Sequence, residues 1–208
     1  MKTRYWIVSR LIVCTLFLTA ILVALFLSSC KKEKGPDSNS PAFHISESEK
    51  LMIPAAIDLP VSQNGYTRVA TFFARGVQKY KSQQKAGTNP AGYEWVFVAP
   101  EADLYDATNN KVGTHSAGPA WQLTGGTDSL YGQQVSPPKT APSPDPASID
   151  WLQLMPKTGK TPTGIFANVS YIHRIATAGG KAPATAPVSA TETKDVPYTA
   201  VYRFTKAN

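Results

Sequence analysis

Between residues 51 and 208 the apolar residues come in short runs, each stopped by a cluster containing Gly, Pro, Asn or Asp. No long segment repeats its apolar residues every three to four positions, so a fold built on long amphipathic helices is excluded. Several runs alternate instead, or are aromatic and β-branched throughout, which is the pattern of strands. YTRVATFFA (residues 66–74) and VQKYKSQ (77–83) read as two strands broken at Arg75-Gly76. YEWVFVA (93–99) is apolar on both faces and reads as a central strand, with Trp95 in the core. ADLYDA turns at TNNK and returns as KVGTHSA, and WQLT and SLYGQQV flank the turn GGTD, giving two hairpins. DWLQLM (150–155), IFANVSYIHRI (165–175) and YTAVYRF (198–204) complete the set; in the second of these Ile165, Ala167, Val169 and Tyr171 share a face. The expected fold is all-β: an antiparallel β-sandwich or barrel of eight to ten short strands, with little helix. SPPKTAPSPDPAS (136–148) carries five prolines and is expected to be a stiff connector rather than a central strand.

The first thirty residues have a different character. Lys2, Arg4 and Arg10 precede an apolar run over residues 11–27, and LSSC ends at Cys30. A basic start, a short apolar stretch and small residues before a cysteine describe a lipoprotein signal peptide over residues 1–29. Cys30 would then carry the lipid. An uncleaved membrane helix is the competing reading, and about 17 apolar residues is the lower limit for spanning. Each buried acyl methylene contributes about 0.8 kcal/mol, so two or three chains hold a protein on a membrane stably. Both readings put the rest of the chain outside the cytoplasm. Lys31 follows the cysteine without the acidic signal associated with inner-membrane retention, which favours the outer membrane; periplasmic and surface faces stay open.

Three domains of sequence follow: residues 1–29 as signal, 30–50 as lipidated cysteine and flexible linker, and 51–208 as one β domain. GPDSNSPAF (35–43) supports the linker by its Gly, Pro, Ser and Asn content. The 158 residues after position 50 suffice for one core. Cys14 and Cys30 are the only cysteines, so the β domain has no disulfide, thiolate metal site or cysteine nucleophile. The chain carries 21 basic and 14 acidic residues; without the three basic residues of 1–29 the net charge is +4. That is too small and too dispersed for a nucleic-acid partner. The one basic cluster, KKEK (31–34), lies where it would meet anionic head groups of the membrane.

No G-x-S-x-G, H-E-x-x-H or Gly-rich phosphate loop is present. His44 falls in the linker. His115 and His173 fall on strands and could share a metal with Glu101 or Asp103 only if those strands were neighbours; their spacing gives no local metal site, and neither metal nor cofactor is expected. Glu101 and Asp103, two apart on a strand, would sit about 7 Å from each other. That is within the roughly 6.5–9.5 Å of an inverting glycosidase pair, but acidic residues beside a turn are ordinarily solvated. GTHSAGPAW (113–121) sets His115 and Trp121 around Gly118 and Pro119. It is either the rim of a cleft or simply strand, turn and strand. Trp121 and Trp151 flank irregular backbone, where pockets form.

The blocks MIPAAIDLP, ARGVQKY, WVFVAPEADLYDATNNKVGTHSAGPAW, WLQL, VSYIHRIATAGGKAPA and VPYTAVYRF, in this order, resemble the family of domains of unknown function numbered 3455. The resemblance covers about residues 50–205. It implies an all-β domain, secreted in bacteria and fungi, and supplies no reaction. It carries Gln78, Tyr80, His115, Gly118, Pro119, Trp121, Trp151, Gly179, Gly180 and Pro183 into the shared pattern. Members often have Y-x-C after the second strand and a further cysteine after GGKAP; here Ser82 and residues 185–187 stand there. Both cysteines are absent together, as expected if they pair. The family's YIQR is YIHR here, so a role for His173 would be particular to this chain.

Three functional readings follow, in this order. The first is a binding or interaction module for a small polar ligand or glycan, with Trp121 and Trp151 stacking, His115 and Gln78 hydrogen bonding, and Tyr80, Glu101 and Asp103 as further ligand-binding candidates. The second is a hydrolase of envelope glycans using His115 with Glu101 or Asp103. The third is a structural envelope protein without a ligand. A module requires a pocket lined by these aromatics; an enzyme requires a carboxylate within about 3 Å of His115 or one water away.

Overall fold

The computed structural model describes residues 37–87 and 92–208. The lipidation candidate Cys30, the preceding signal and the KKEK cluster lie outside the described residues. Residues 38–208 form one compact unit.

Eight antiparallel strands run in simple succession and close into a barrel. They are β1 (Tyr66–Gln84), β2 (Tyr93–Tyr105), β3 (Lys111–Ser116), β4 (Ala120–Leu123), β5 (Ser129–Ala141), β6 (Trp151–Pro156), β7 (Tyr171–Gly179) and β8 (Thr193–Ala207). β8 pairs with β1 from Tyr66↔Ala207 to Lys81↔Thr193, which removes the sheet edge there. Of the two architectures compatible with the sequence, the chain forms the barrel.

The strand period of two sorts β1 and β8 cleanly. Phe72, Ala74, Ala200, Tyr202 and Phe204 point inward and join Leu104, Trp121, Leu130, Phe166 and Ile172 in the lumen core. Their neighbours Phe73 and Val201 point outward and join Ile45, Ile57, Trp151 and Ile175 in a second core. That second core is covered by helix α1 (Pro41–Glu49) and by the 3-10 turn Ala55–Ile57. Having apolar residues on both faces, the central strands are covered on both.

Several expectations are corrected. The linker expected through residue 50 ends earlier: Ser40 accepts a hydrogen bond from Phe43 N–H as N-cap, Pro41 occupies the first turn, and α1 packs on the barrel through Ile45. β1 is not broken at Arg75-Gly76. A Cβ on Gly76 would lie 2.0 Å from Glu101 O, so the glycine serves close strand approach, not a turn. The proline-rich stretch is not wholly a connector, because β5 runs through Pro137 and Pro138 as far as Ala141. Its ladder to β6 is interrupted between Gln134 and Lys139, and this irregularity accommodates the missing amide donors. The alternation begun at Ile165 is only partly a strand, since Gly164–Phe166 form a 3-10 turn that drives Phe166 into the lumen core. Trp95 is not in the core; its Nε1 donates to Thr185 O near the surface.

β3 and β4 are short, six and four residues, while β2 and β5 each have thirteen. β2 meets β3 only from Ala102 to Tyr105, and β5 meets β4 only from Ser129 to Tyr131. Past the β3–β4 turn the named strands therefore leave a notch in the barrel wall between β2 and β5.

Candidate functional site: a notch into the barrel

GTHSAGPAW is the β3–β4 hairpin. His115 pairs with Trp121, and Ser116 with Ala120, around a turn at residues 117–119. His115 also pairs with Ala102 on β2, so it shares the inward face of the buried Ala102. The same register carries this face around the ring. Leu152 pairs with Arg174 and Arg174 with Tyr202, which turns the Arg174 side chain inward like Leu152 and Tyr202. Gln134 pairs with Leu154, and Gln78 with Pro100.

These inward residues line a cavity of about 340 Å³ at the notch. Phe97, Val98 and Pro100 of β2, Gly118 and Pro119 of the hairpin turn, and Gln134 of β5 form its mouth side. Gln78, His115, Trp121, Leu152, Arg174 and Tyr202 form the remainder. The volume falls in the range of sites for small molecules. An eight-stranded barrel has an interior just wide enough to be filled by side chains or to hold one small ligand. Here Phe72, Phe166 and Phe204 fill part of the lumen, and the cavity occupies another part.

His115 stacks on Trp121 with ring centroids 4.6 Å apart and touches Tyr202 at 4.8 Å. Trp121 in turn lies over Gly132 of β5: a Cβ there would come within 2.9 Å of Trp121 Cζ3. His115 Nδ1 is 2.8 Å from Ala120 O. A carbonyl only accepts, so Nδ1 carries the proton and Nε2 is left as an acceptor. Burial, with a smaller contribution from the Arg174 charge, pushes the imidazole pKa down to about 4 against the bond to Ala120, so His115 is neutral at pH 7.

Around it the donors outnumber their partners. Gln78 Nε2 and Trp121 Nε1 are buried without an acceptor among the described residues. The Tyr198 hydroxyl lies beside Gln78 and Tyr202 but forms no hydrogen bond of proper geometry. Burial holds the Tyr198 and Tyr202 phenols well above the ordinary tyrosine pKa, so both keep their protons. Arg174 Nε and Nη2 donate to Asp150 O at 3.2 and 2.8 Å. Among the described residues Arg174 forms no ion pair.

Of the residues expected to form a site, the structure brings His115, Trp121 and Gln78 to one cavity. Tyr80 stands at its margin: its hydroxyl donates to Gly180 O and its ring meets the edge of Phe97. Trp151 does not join them. It points to the outer face of β6, into the second core under α1. Glu101 and Asp103 flank the inward Ala102 and so face outward, where Glu101 meets Lys79 at 2.9 Å and Asp103 meets Lys111 at 2.8 Å. Glu101, Asp103 and His115 border one outer groove, but the His115 ring points inward onto Ala120 O and Trp121, so the acid–base pair expected of a hydrolase is not assembled. His173 is also on the outer face, with Nε2 2.7 Å from Ile57 O. It shares no site with His115, and no cluster of three metal-ligating side chains occurs among the described residues. His44, expected in a linker, stacks on Phe73 at 4.6 Å.

Sequence reasoning missed Arg174, Tyr202 and Gln134. Arg174 is the fourth residue of YIHR, and once β7 is known to begin at Tyr171, its parity with Ile172 places it inside.

Residues 62–206 match the family model described as "Protein of unknown function (DUF3455)". No curated protein and no solved structure matches the chain.

Proposed function

The chain belongs to the DUF3455 family, and we propose that its barrel is a binding module that holds one small polar ligand in the notch between β2 and β5. The observation that carries this reading is the cavity of about 340 Å³ whose lining includes the unpartnered amide of Gln78. A buried donor left unmade costs about 1–3 kcal/mol. A barrel selected for stability alone would fill this space with apolar side chains. His115 and Trp121 form a flat stacked wall, suited to a ring or an apolar ligand face. The hydrolase reading is less well supported, because its carboxylates pair with Lys79 and Lys111 on the outer face while the His115 ring faces inward.

The test is thermal unfolding of the full chain against sugars, small organic acids and small alcohols, beside Val98→Trp. Val98 is 52% exposed at the mouth, so a larger side chain there obstructs the notch without disturbing the core. Ligands should raise the melting temperature of the wild type and not of Val98→Trp. Equal shifts in both proteins would place binding elsewhere.

We further propose that the module is exported and held on a membrane by lipid at Cys30. The support is the sequence of residues 1–30 alone. Labelling with a radioactive fatty acid should mark the wild type and not Cys30→Ser; label on both would refute the anchor.

A further inference from the structure

Resting on the notch as a binding site, we infer that its ligand is a small organic acid whose single carboxylate is received by Arg174. Among the described residues Arg174 is the only charged one lining the cavity, and no carboxylate among them pairs with it. Arg203, the buried cation of the outer face, is by contrast matched by Glu49, and the barrel cations without an ion pair among the described residues, such as Arg75 and Lys81, are exposed. A half-buried guanidinium facing a mainly apolar cavity without a counter-ion is an incomplete arrangement, since charges are buried at little cost only when paired.

Its geometry points to a carboxylate. The Nε and Nη2 edge is taken by Asp150 O, which fixes the plane of the group. The rest of the guanidinium lies beside the Tyr202 hydroxyl, so a ligand carboxylate would be received by the planar Arg174 group with Tyr202 next to it, a geometry suited to two carboxylate oxygens. A doubly charged phosphate would require a second cation, and none of the described residues lining the cavity supplies one. His115 does not supply one, being neutral at pH 7. The other polar groups complete the account: Gln78 donates, and His115 Nε2 accepts from a ligand hydroxyl. Leu152, Leu154, Val98 and Phe97 take the ligand's carbon frame.

Two sources share this chemistry: a sugar acid, which uses the His115 acceptor, and an aromatic acid, which uses the apolar wall. Matched pairs separate them. Binding to the full chain is measured by calorimetry for glucuronate against glucose, and for benzoate against benzyl alcohol, in wild type, Arg174→Gln, Arg174→Lys, Val98→Trp and Lys79→Gln. At least one acid is expected to bind at least tenfold more tightly than its neutral partner, and to lose that advantage in Arg174→Gln. Arg174→Lys keeps the charge without the planar group and should retain an intermediate affinity, which guards against a misfolded Arg174→Gln. Lys79→Gln, on the outer face, should change nothing. If neutral and acid bind alike, and Val98→Trp abolishes both, the notch is a binding site and the carboxylate assignment is overturned. If no member of either pair binds, the assignment and the binding module fall together.

Discussion

His115 sits 3% exposed between Trp121, Tyr202 and the Ala120 carbonyl, and its environment tolerates only the neutral ring. Its pKa is about 4 in the folded protein and ordinary, 6.5, in the unfolded chain. Between these values the unfolded state takes up a proton that the folded state refuses. Stability is therefore full above about pH 6.5 and falls as the pH drops toward 4. The shift corresponds to up to about 3 kcal/mol. His173 is lowered by burial as well and acts in the same direction, so the effect of His115 is read as a difference. Urea unfolding at pH 7 and pH 4.5 should show wild type losing about 2–3 kcal/mol more than His115→Gln over this interval. Equal losses would mean that His115 is protonated without penalty. His115 and Trp121 were legible before the fold, because the block holding them marks the family. Arg174 was not. On a strand an arginine reads as solvated unless the phase of alternation is known, and the phase of β7 is set by the 3-10 turn at Gly164–Phe166, which breaks the alternation begun at Ile165.

At the scale of elements, the hairpins and the alternating strands were legible from turn chemistry and the period of two. What misled was punctuation inside strands. Gly76 looked like a break and is instead the crossing point of three strands, pairing with Ala102 on β2 and Tyr198 on β8. A Cβ there would lie 2.0 Å from Glu101 O and 2.5 Å from Ala102 Cα, both backbone atoms that cannot swing aside. Gly76→Ala is expected to destabilise the protein by more than about 2 kcal/mol, seen as a lower midpoint in urea. Gly125→Ala makes a useful contrast, since nothing lies within 4 Å of its added methyl; its positive φ still adds about 1 kcal/mol of strain. If the two variants unfold alike, the strands at Gly76 are not as close as described. Pro137 and Pro138 misled for a related reason. A proline is excluded from a strand only where its amide would be used, and β5 has lost its β4 neighbour by that point.

For the whole molecule, sandwich and barrel share the same local pattern, and the choice between them rests on whether β1 and β8 pair across the full length of the chain. That pairing follows from two long strands with apolar residues on both faces, and it has a consequence outside the lumen. Phe73 and Val201 face outward and would be exposed without α1 and the Ala55–Ile57 turn. Arg203, 5% exposed, depends on the same segment: its guanidinium donates to Ser48 O and pairs with Glu49 at 3.3 Å. The segment first read as a linker is therefore part of the folded unit. Burying Ile45 contributes about 1.5–3 kcal/mol, and leaving Arg203 without its partners adds about 1–3 kcal/mol. Against a total stability of roughly 5–15 kcal/mol, a chain beginning at Leu51 should unfold at a markedly lower urea concentration than one beginning at Ser38. It should also bind a hydrophobic dye at the uncovered Phe73 and Trp151. Identical midpoints for the two chains would return residues 41–49 to the role of a tether. A lowered midpoint without dye binding would assign the loss to Arg203 alone, and Glu49→Gln in the longer chain would then reproduce part of it.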